Sequence, residues 1–157
     1  MIGPKTFFIT KGSSQNDISG LNAYDEALRD AGISQCNIVQ VSSILPKGAK
    51  HVRFQKIPAG EITFCVLARC DGDEGDRVGA GIAYSFCKAA SGNHYGIVAE
   101  VHGDYDAKEL KQKLKMELER MARVRKMKLG KMVFDISVIN SIRKNHGCAV
   151  CALVYRN

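Results

Sequence analysis

Two consecutive serines, Ser42 and Ser43, close an apolar, β-branched run in the stretch CNIVQVSSILPKGAKHV, residues 36–52. A second apolar pair, Ile44 and Leu45, follows them, and Pro46 and Gly48 then break the chain. Serine pairs are ordinary turn residues, but a surface turn is polar on both sides and this one is not. A serine hydroxyl buried against a restrained peptide bond can attack the preceding carbonyl, as a positioned nucleophile does. Glu100 interrupts a second apolar run, GIVAEV. Burial disfavours the charged carboxylate and suits a proton donor near neutral pH. Strand alternation equally allows a solvent-facing carboxylate there. His102 and Tyr95 are the nearest alternative acids in sequence. Cys148 and Cys151 have C-x-x-C spacing, but no second cysteine pair or histidine pair accompanies them. On a strand, residues i and i+3 face opposite sides, so these thiols are expected to pack and no metal is expected. VGAGIAYSF lacks the full G-x-G-x-x-G spacing, so no nucleotide site is expected either.

The elements that would carry these residues are mostly strands. Thr6–Thr10 reads as a short strand and KGSSQND as a loop of turn formers. ISGLNAYDEALRDAGI places Leu21, Tyr24 and Leu28 at helical spacing, with Gly32 as the stop. CNIVQV reads as a strand, Pro46 to Lys50 as a loop, and Pro58 with Gly60 as a turn. Glu61–Cys70 is expected to be a buried strand and DGDEGDR an exposed acidic turn. VGAGIAYSFC and YGIVAEVHG are further strands, separated by a loop around Ser91 to His94. Asp106–Leu129 reads as one long helix with Leu110, Leu114, Leu118 and Met121 inward. Asp104 or Asp106 would cap its start and Gly130 its end. KMVFDISVI and GCAVCALVYR complete the strands. Strands with two inserted helices imply an α+β single domain, a four-layer-like αββα sandwich of mainly antiparallel strands.

The chain has 157 residues, 45% hydrophobic and 25% charged, an ordinary composition for one domain. Its apolar N-terminal patch, Phe7 to Ile9, is too short for a signal-peptide core, and no run approaches the ~20 residues of a membrane span. A cytoplasmic protein with reduced cysteines and no membrane contact is expected. The net charge is +7, and residues 108–131 hold ten basic and three acidic residues, so that segment carries the whole excess. A nucleic-acid-binding module using the Lys108–Lys131 helix would need stacking aromatics, which the segment lacks. A solvated helix face, with no nucleic-acid partner, is the expected reading.

CNIVQVSSILPKGA, LNAYDEAL and GIVAEVHG resemble the matching stretches of the pyruvoyl-dependent arginine decarboxylases. The likeness runs over nearly the whole chain, and NIVQVSSILP carries most of its specificity. It implies that the Ser43 hydroxyl attacks the Ser42 carbonyl to give an ester. Elimination and hydrolysis then leave a pyruvoyl group on residue 43, so that domain 1–157 becomes residues 1–42 and 43–157. The pyruvoyl group would form a Schiff base with L-arginine and act as the electron sink otherwise supplied by pyridoxal phosphate. The products would be agmatine, for polyamine synthesis, and CO2. The resemblance assigns Asn37 to self-processing, Glu100 as general acid toward the α-carbon, and Asp25 as the carboxylate that holds the guanidinium, with Glu26 the neighbour able to take that part. Asn37 and Ser43 are six residues apart, roughly 20 Å in a straight strand, so either the strand bends or Asn37 serves a neighbouring subunit. The family implies homotrimers of cleaved protomers with sites between subunits. A pyruvoyl decarboxylase of another amino acid is the rival within this chemistry.

Overall fold

Eleven elements follow one another along residues 3–157, the part of the chain that the computed structural model describes. The strands are β1 (Thr6–Asn16), β2 (Asn37–Gln40), β3 (Ile44–Leu45), β4 (Lys50–His51), β5 (Ile62–Asp73), β6 (Val78–Ala89), β7 (His94–Gly103), β8 (Met127–Ile139) and β9 (His146–Arg156). The helices are α1 (Gly20–Asp30) and α2 (Ala107–Val124). The strands form two sheets, one in the order β2-β5-β9-β1-β4 and the other β3-β7-β6-β8. Only β1·β4 and β2·β5 are parallel pairs; the rest are antiparallel. The result is a mixed, strand-rich single domain. No helix among the described residues is long and apolar enough to cross a membrane.

Side-chain alternation explains why β9 reads as an unbroken apolar run. Cys148, Val150, Ala152 and Val154 pack with Ala23, Ala27 and Leu28 of α1. The intervening Ala149, Cys151, Leu153 and Tyr155 pack with Val66 of β5 and Ile82 and Tyr84 of β6. A strand covered on both faces needs apolar residues at every position. Cys148 and Cys151 therefore face opposite sides, as strand geometry requires, and burial pushes both thiols far up. On the second sheet, Ile97 and Ala99 of β7 pack with Leu114 and Leu118 of α2. Leu110, Leu114 and Leu118 are fully buried, each contributing about 2 kcal/mol of transfer free energy.

Several boundaries differ from the sequence reading. β1 continues through Lys11–Asn16, where the turn formers suggest a loop, because each residue pairs with β9. In α1 the buried stripe is Ala23, Ala27 and Leu28, while Leu21 is 75% exposed. The small alanines let the helix lie close on β1 at Gly12. Strand β2 is an edge strand with mostly exposed residues. β5 runs on to Asp73, so the acidic turn begins later. Helix α2 ends at Val124, five residues before Leu129. Lys126 takes a left-handed conformation, φ 52°, and reverses the chain into β8. Gly130 is thus a strand residue and not a helix cap. Asp106, not Asp104, caps α2, through a reciprocal capping box with Glu109. The α2 cations largely face solvent, and Lys113 lies over the Tyr105 ring.

A Cβ at Gly12 would lie 2.2 Å from the Ala27 carbonyl oxygen and 2.5 Å from the Ala31 nitrogen. Both are backbone atoms of the α1 end, so neither can swing aside. Gly12→Ala should destabilise the chain by about 3 kcal/mol or more. Urea unfolding would measure it, and an unchanged midpoint would contradict this contact.

Candidate active site

The serine pair lies where the chain passes from one sheet to the other. β2 follows β5 in parallel register to Gln40↔Cys65, and the Val41 amide donates to the Cys65 carbonyl at 3.0 Å. Two residues later the chain belongs to the second sheet. The Val98 amide of β7 donates to the Ser43 carbonyl at 3.0 Å, and Ile44 and Leu45 pair with Ile97 and Gly96. The Ser42–Ser43 peptide is the crossing itself. The Ile44 amide folds back to donate to the Ser42 carbonyl at 3.1 Å, a three-residue turn centred on Ser43. The Tyr155 hydroxyl of β9 donates to the Ile44 carbonyl at 2.9 Å. Three successive carbonyls thus have three different donors.

Local sequence explains the crossing. Leu45 is fully buried in the cluster between the sheets and anchors the far side. Pro46 and Gly48, the latter at φ 82°, turn the chain back toward β4. Both strands at the crossing are edge strands, so Ser42 is exposed and Ser43 half-buried, not buried as expected. An open groove of about 810 Å³ runs beside them, lined by Val41, Ser42, Ile44, Ile62, Phe64 and Tyr155 among others. An ion pair between Glu61 and Arg156 stands in its wall.

Glu100 sits two residues beyond Val98 on β7, so its side chain leaves the same face of the strand. Val98 itself packs between the sheets. The Glu100 carboxyl is exposed, the solvent-facing alternative that strand alternation allows. Surrounding protein still removes enough water to push its pKa up, and nearby His102 pulls it partly down. His102 is exposed and Tyr95 half-buried.

The other expected residues lie apart from the serines within one chain. Asn37 starts β2, where its amide donates to the Glu61 carbonyl at 2.8 Å and its Nδ2 to the Gly60 carbonyl at 2.9 Å. The register from Asn37 to Gln40 is unbroken, so the strand does not bend Asn37 back toward Ser43. Asp25 is on the solvent face of α1, opposite the stripe that packs on β9. Its neighbour Glu26 accepts from Ser14 Oγ at 2.6 Å and Asn16 Nδ2 at 3.2 Å, and these bonds hold its pKa low. Glu26 is thereby committed to fastening α1 on β1. Sequence reasoning missed Tyr155 and the Val98 amide. A tyrosine inside an apolar strand does signal that its hydroxyl needs a partner, but not which one.

The sequence that forms this crossing has counterparts among known proteins. Residues 6–157 match the family model described as pyruvoyl-dependent arginine decarboxylase. A pyruvoyl-dependent arginine decarboxylase of Methanopyrus kandleri is 35% identical over 127 residues, 80% of this chain and 79% of its own length. That of Methanothermobacter thermautotrophicus is 30% identical over 149 residues, covering 94% of this chain and 93% of the relative. Pyruvoyl-dependent arginine decarboxylase 2 of Archaeoglobus fulgidus is 33% identical over 158 residues, 97% of this chain and 96% of the relative. With the match spanning β1 to the end of β9, the chain belongs to the pyruvoyl-dependent arginine decarboxylase family.

Proposed function

We propose that the chain cuts its own Ser42–Ser43 bond and then decarboxylates L-arginine to agmatine and CO2. The observation that carries this reading is the crossing, whose Ser42 carbonyl accepts from the Ile44 amide. That donor polarises the carbonyl and stabilises charge developing on its oxygen during attack. The Ser43 hydroxyl adds to the Ser42 carbonyl carbon and the Ser42–Ser43 C–N bond breaks, giving an ester and a free amine on residue 43. Loss of the Ser43 α-proton expels the Ser42 carboxylate and leaves dehydroalanine. Water then replaces the nitrogen, which leaves as ammonia, and residue 43 keeps a ketone.

Residue 43 suits the group it would become. It has a small, half-buried side chain between groove-lining Ser42 and Ile44, and its carbonyl is already held by Val98. Once formed, the pyruvoyl ketone supplies an electron sink for the departing carboxylate. Glu100, on the strand that holds residue 43, delivers the proton to the α-carbon. Asp25 holds the guanidinium, Glu26 being occupied within its own chain. Asn37 supports processing. Because Asn37 and Asp25 stand away from Ser43 in one chain, we assign them to sites shared between copies in a homotrimer. Exposed Val39, Val41, Ile44 and Ile62 beside the crossing supply apolar surface for such contacts. The three apolar clusters are what an αββα layering of the sheets and helices would produce. The six free thiols suit the cytoplasm.

Release of labelled CO2 from carboxyl-labelled L-arginine, one per agmatine formed, tests this function. Preference for another amino acid would favour the rival decarboxylase. Ser43→Ala lacks the attacking hydroxyl and should remain one chain on denaturing electrophoresis; cleavage at this bond in that variant would refute the mechanism.

Glu100→Gln should cleave normally yet turn over about 10²–10⁴-fold more slowly. A raised pKa keeps the Glu100 proton to higher pH, so kcat of the unmutated enzyme should fall as pH rises through it. A variant left uncut but folded would move Glu100 into the processing machinery.

Asp25→Asn should leave cleavage intact and raise the KM for arginine about 30- to 150-fold, the worth of roughly 2–3 kcal/mol from a charge-assisted pair. An unchanged KM would transfer the role elsewhere.

A further inference from the structure

We propose that Tyr155 is a positioning residue of this enzyme, one that holds residue 43 in its reactive orientation through the Ile44 carbonyl. The inference rests on the function proposed above. β3 is an edge strand with only two residues, Ile44 and Leu45, in register with β7. Backbone groups alternate in direction along an antiparallel strand. Ser43 turns its carbonyl to Val98, so Ile44 turns its own carbonyl away from β7, off the edge of the sheet. The Tyr155 hydroxyl, from the other sheet, meets it there at 2.9 Å.

The donor is rigidly placed. Tyr155 is only 8% exposed, its ring lies in the cluster between the sheets, and it stands opposite the fully buried Phe7. The next residue, Arg156, pairs with Glu61, and its carbonyl accepts from the Lys5 amide at 3.1 Å. Burial pushes the phenol pKa up to about 12, so the hydroxyl keeps its proton and remains a donor across the neutral range.

Cleavage changes what this bond must do. In the intact chain residue 43 is held by the peptide to Ser42, by the turn from the Ile44 amide to the Ser42 carbonyl, by Val98 and by Tyr155. Once the bond to Ser42 is broken, the first two restraints are gone. The Val98 amide and the Ile44–Tyr155 bond then fix the direction in which the ketone faces. Misplacing a reacting atom by about 1 Å costs up to 10²-fold in rate.

The test compares Tyr155→Phe with Tyr84→Phe in the full chain. Both tyrosines are buried and both substitutions keep the ring; the Tyr84 hydroxyl instead lies 3.0 Å from His51 Nδ1. Self-cleavage is followed by electrophoresis, and kcat and KM are measured on cleaved material. Tyr155→Phe should fold, cleave more slowly, and show kcat lowered about 10- to 100-fold with KM for arginine within about twofold. Tyr84→Phe should keep the unmutated kcat. Any of three results overturns the proposal: unmutated kcat in Tyr155→Phe, an equal loss in Tyr84→Phe, or a Tyr155→Phe chain that fails to fold, which would make the hydroxyl a folding determinant. Failure of the unmutated chain to cleave or to release CO2 would strike the underlying function instead.

Discussion

Between Val41, bonded to β5, and Ile44, paired with β7, the chain has two residues in which to leave one sheet and enter the other. Both ends of this crossing are fixed by ladder bonds, so its slack is small and its peptide groups must take what donors the fold supplies. The Ser42 carbonyl receives the Ile44 amide and the Ser43 carbonyl receives the Val98 amide. A serine at the centre of that turn has its hydroxyl next to a polarised carbonyl without any base being needed to bring the two together. The same crossing placed deep in the core would shut out water, which the proposed hydrolysis requires. Its position on two edge strands leaves it open.

The same architecture explains how a cut there would leave the fold standing. Residues before Ser42 are tied to the rest of the molecule without the broken bond. β1 pairs with β9 over all eleven of its residues, and β2 stays in register with β5. Phe7 and Phe8 are fully buried on opposite faces of β1, each contributing about 2–3 kcal/mol. Glu26 adds a polar clasp between α1 and β1. A nick at the crossing removes one covalent link from a segment that is held through β1, α1 and β2, so the chemistry can proceed on a rigid frame.

Much of this frame is legible in the sequence, because its causes are local. The serine pair stands out since apolar segments flank it on both sides, and both turn out to be sheet strands. The α2 stripe of Leu110, Leu114 and Leu118 follows from helical period alone. What is not legible comes from distant partners. Gly12, Ser13 and Ser14 are turn formers, yet β9 pulls them into a strand. Ala23 and Ala27 outrank Leu21 in α1 because they face the cluster with β9, and at Ala27 the backbone also closes on Gly12. Leu129 and Gly130 look like a helix end, but the reversal at Lys126 comes first. Whether Glu100 faces the core or solvent is left open by strand alternation, and only the packed structure shows it exposed. Tyr155 and Ile44 are 111 residues apart, and no short-range pattern joins them.

The most direct measurement is the intact mass of the purified chain under denaturing conditions. The account predicts two species, residues 1–42 ending in a free carboxylate and residues 43–157 beginning with a ketone in place of the amine of residue 43. A single species with the mass of the uncut 157-residue chain, persisting after prolonged incubation of folded protein, would contradict it.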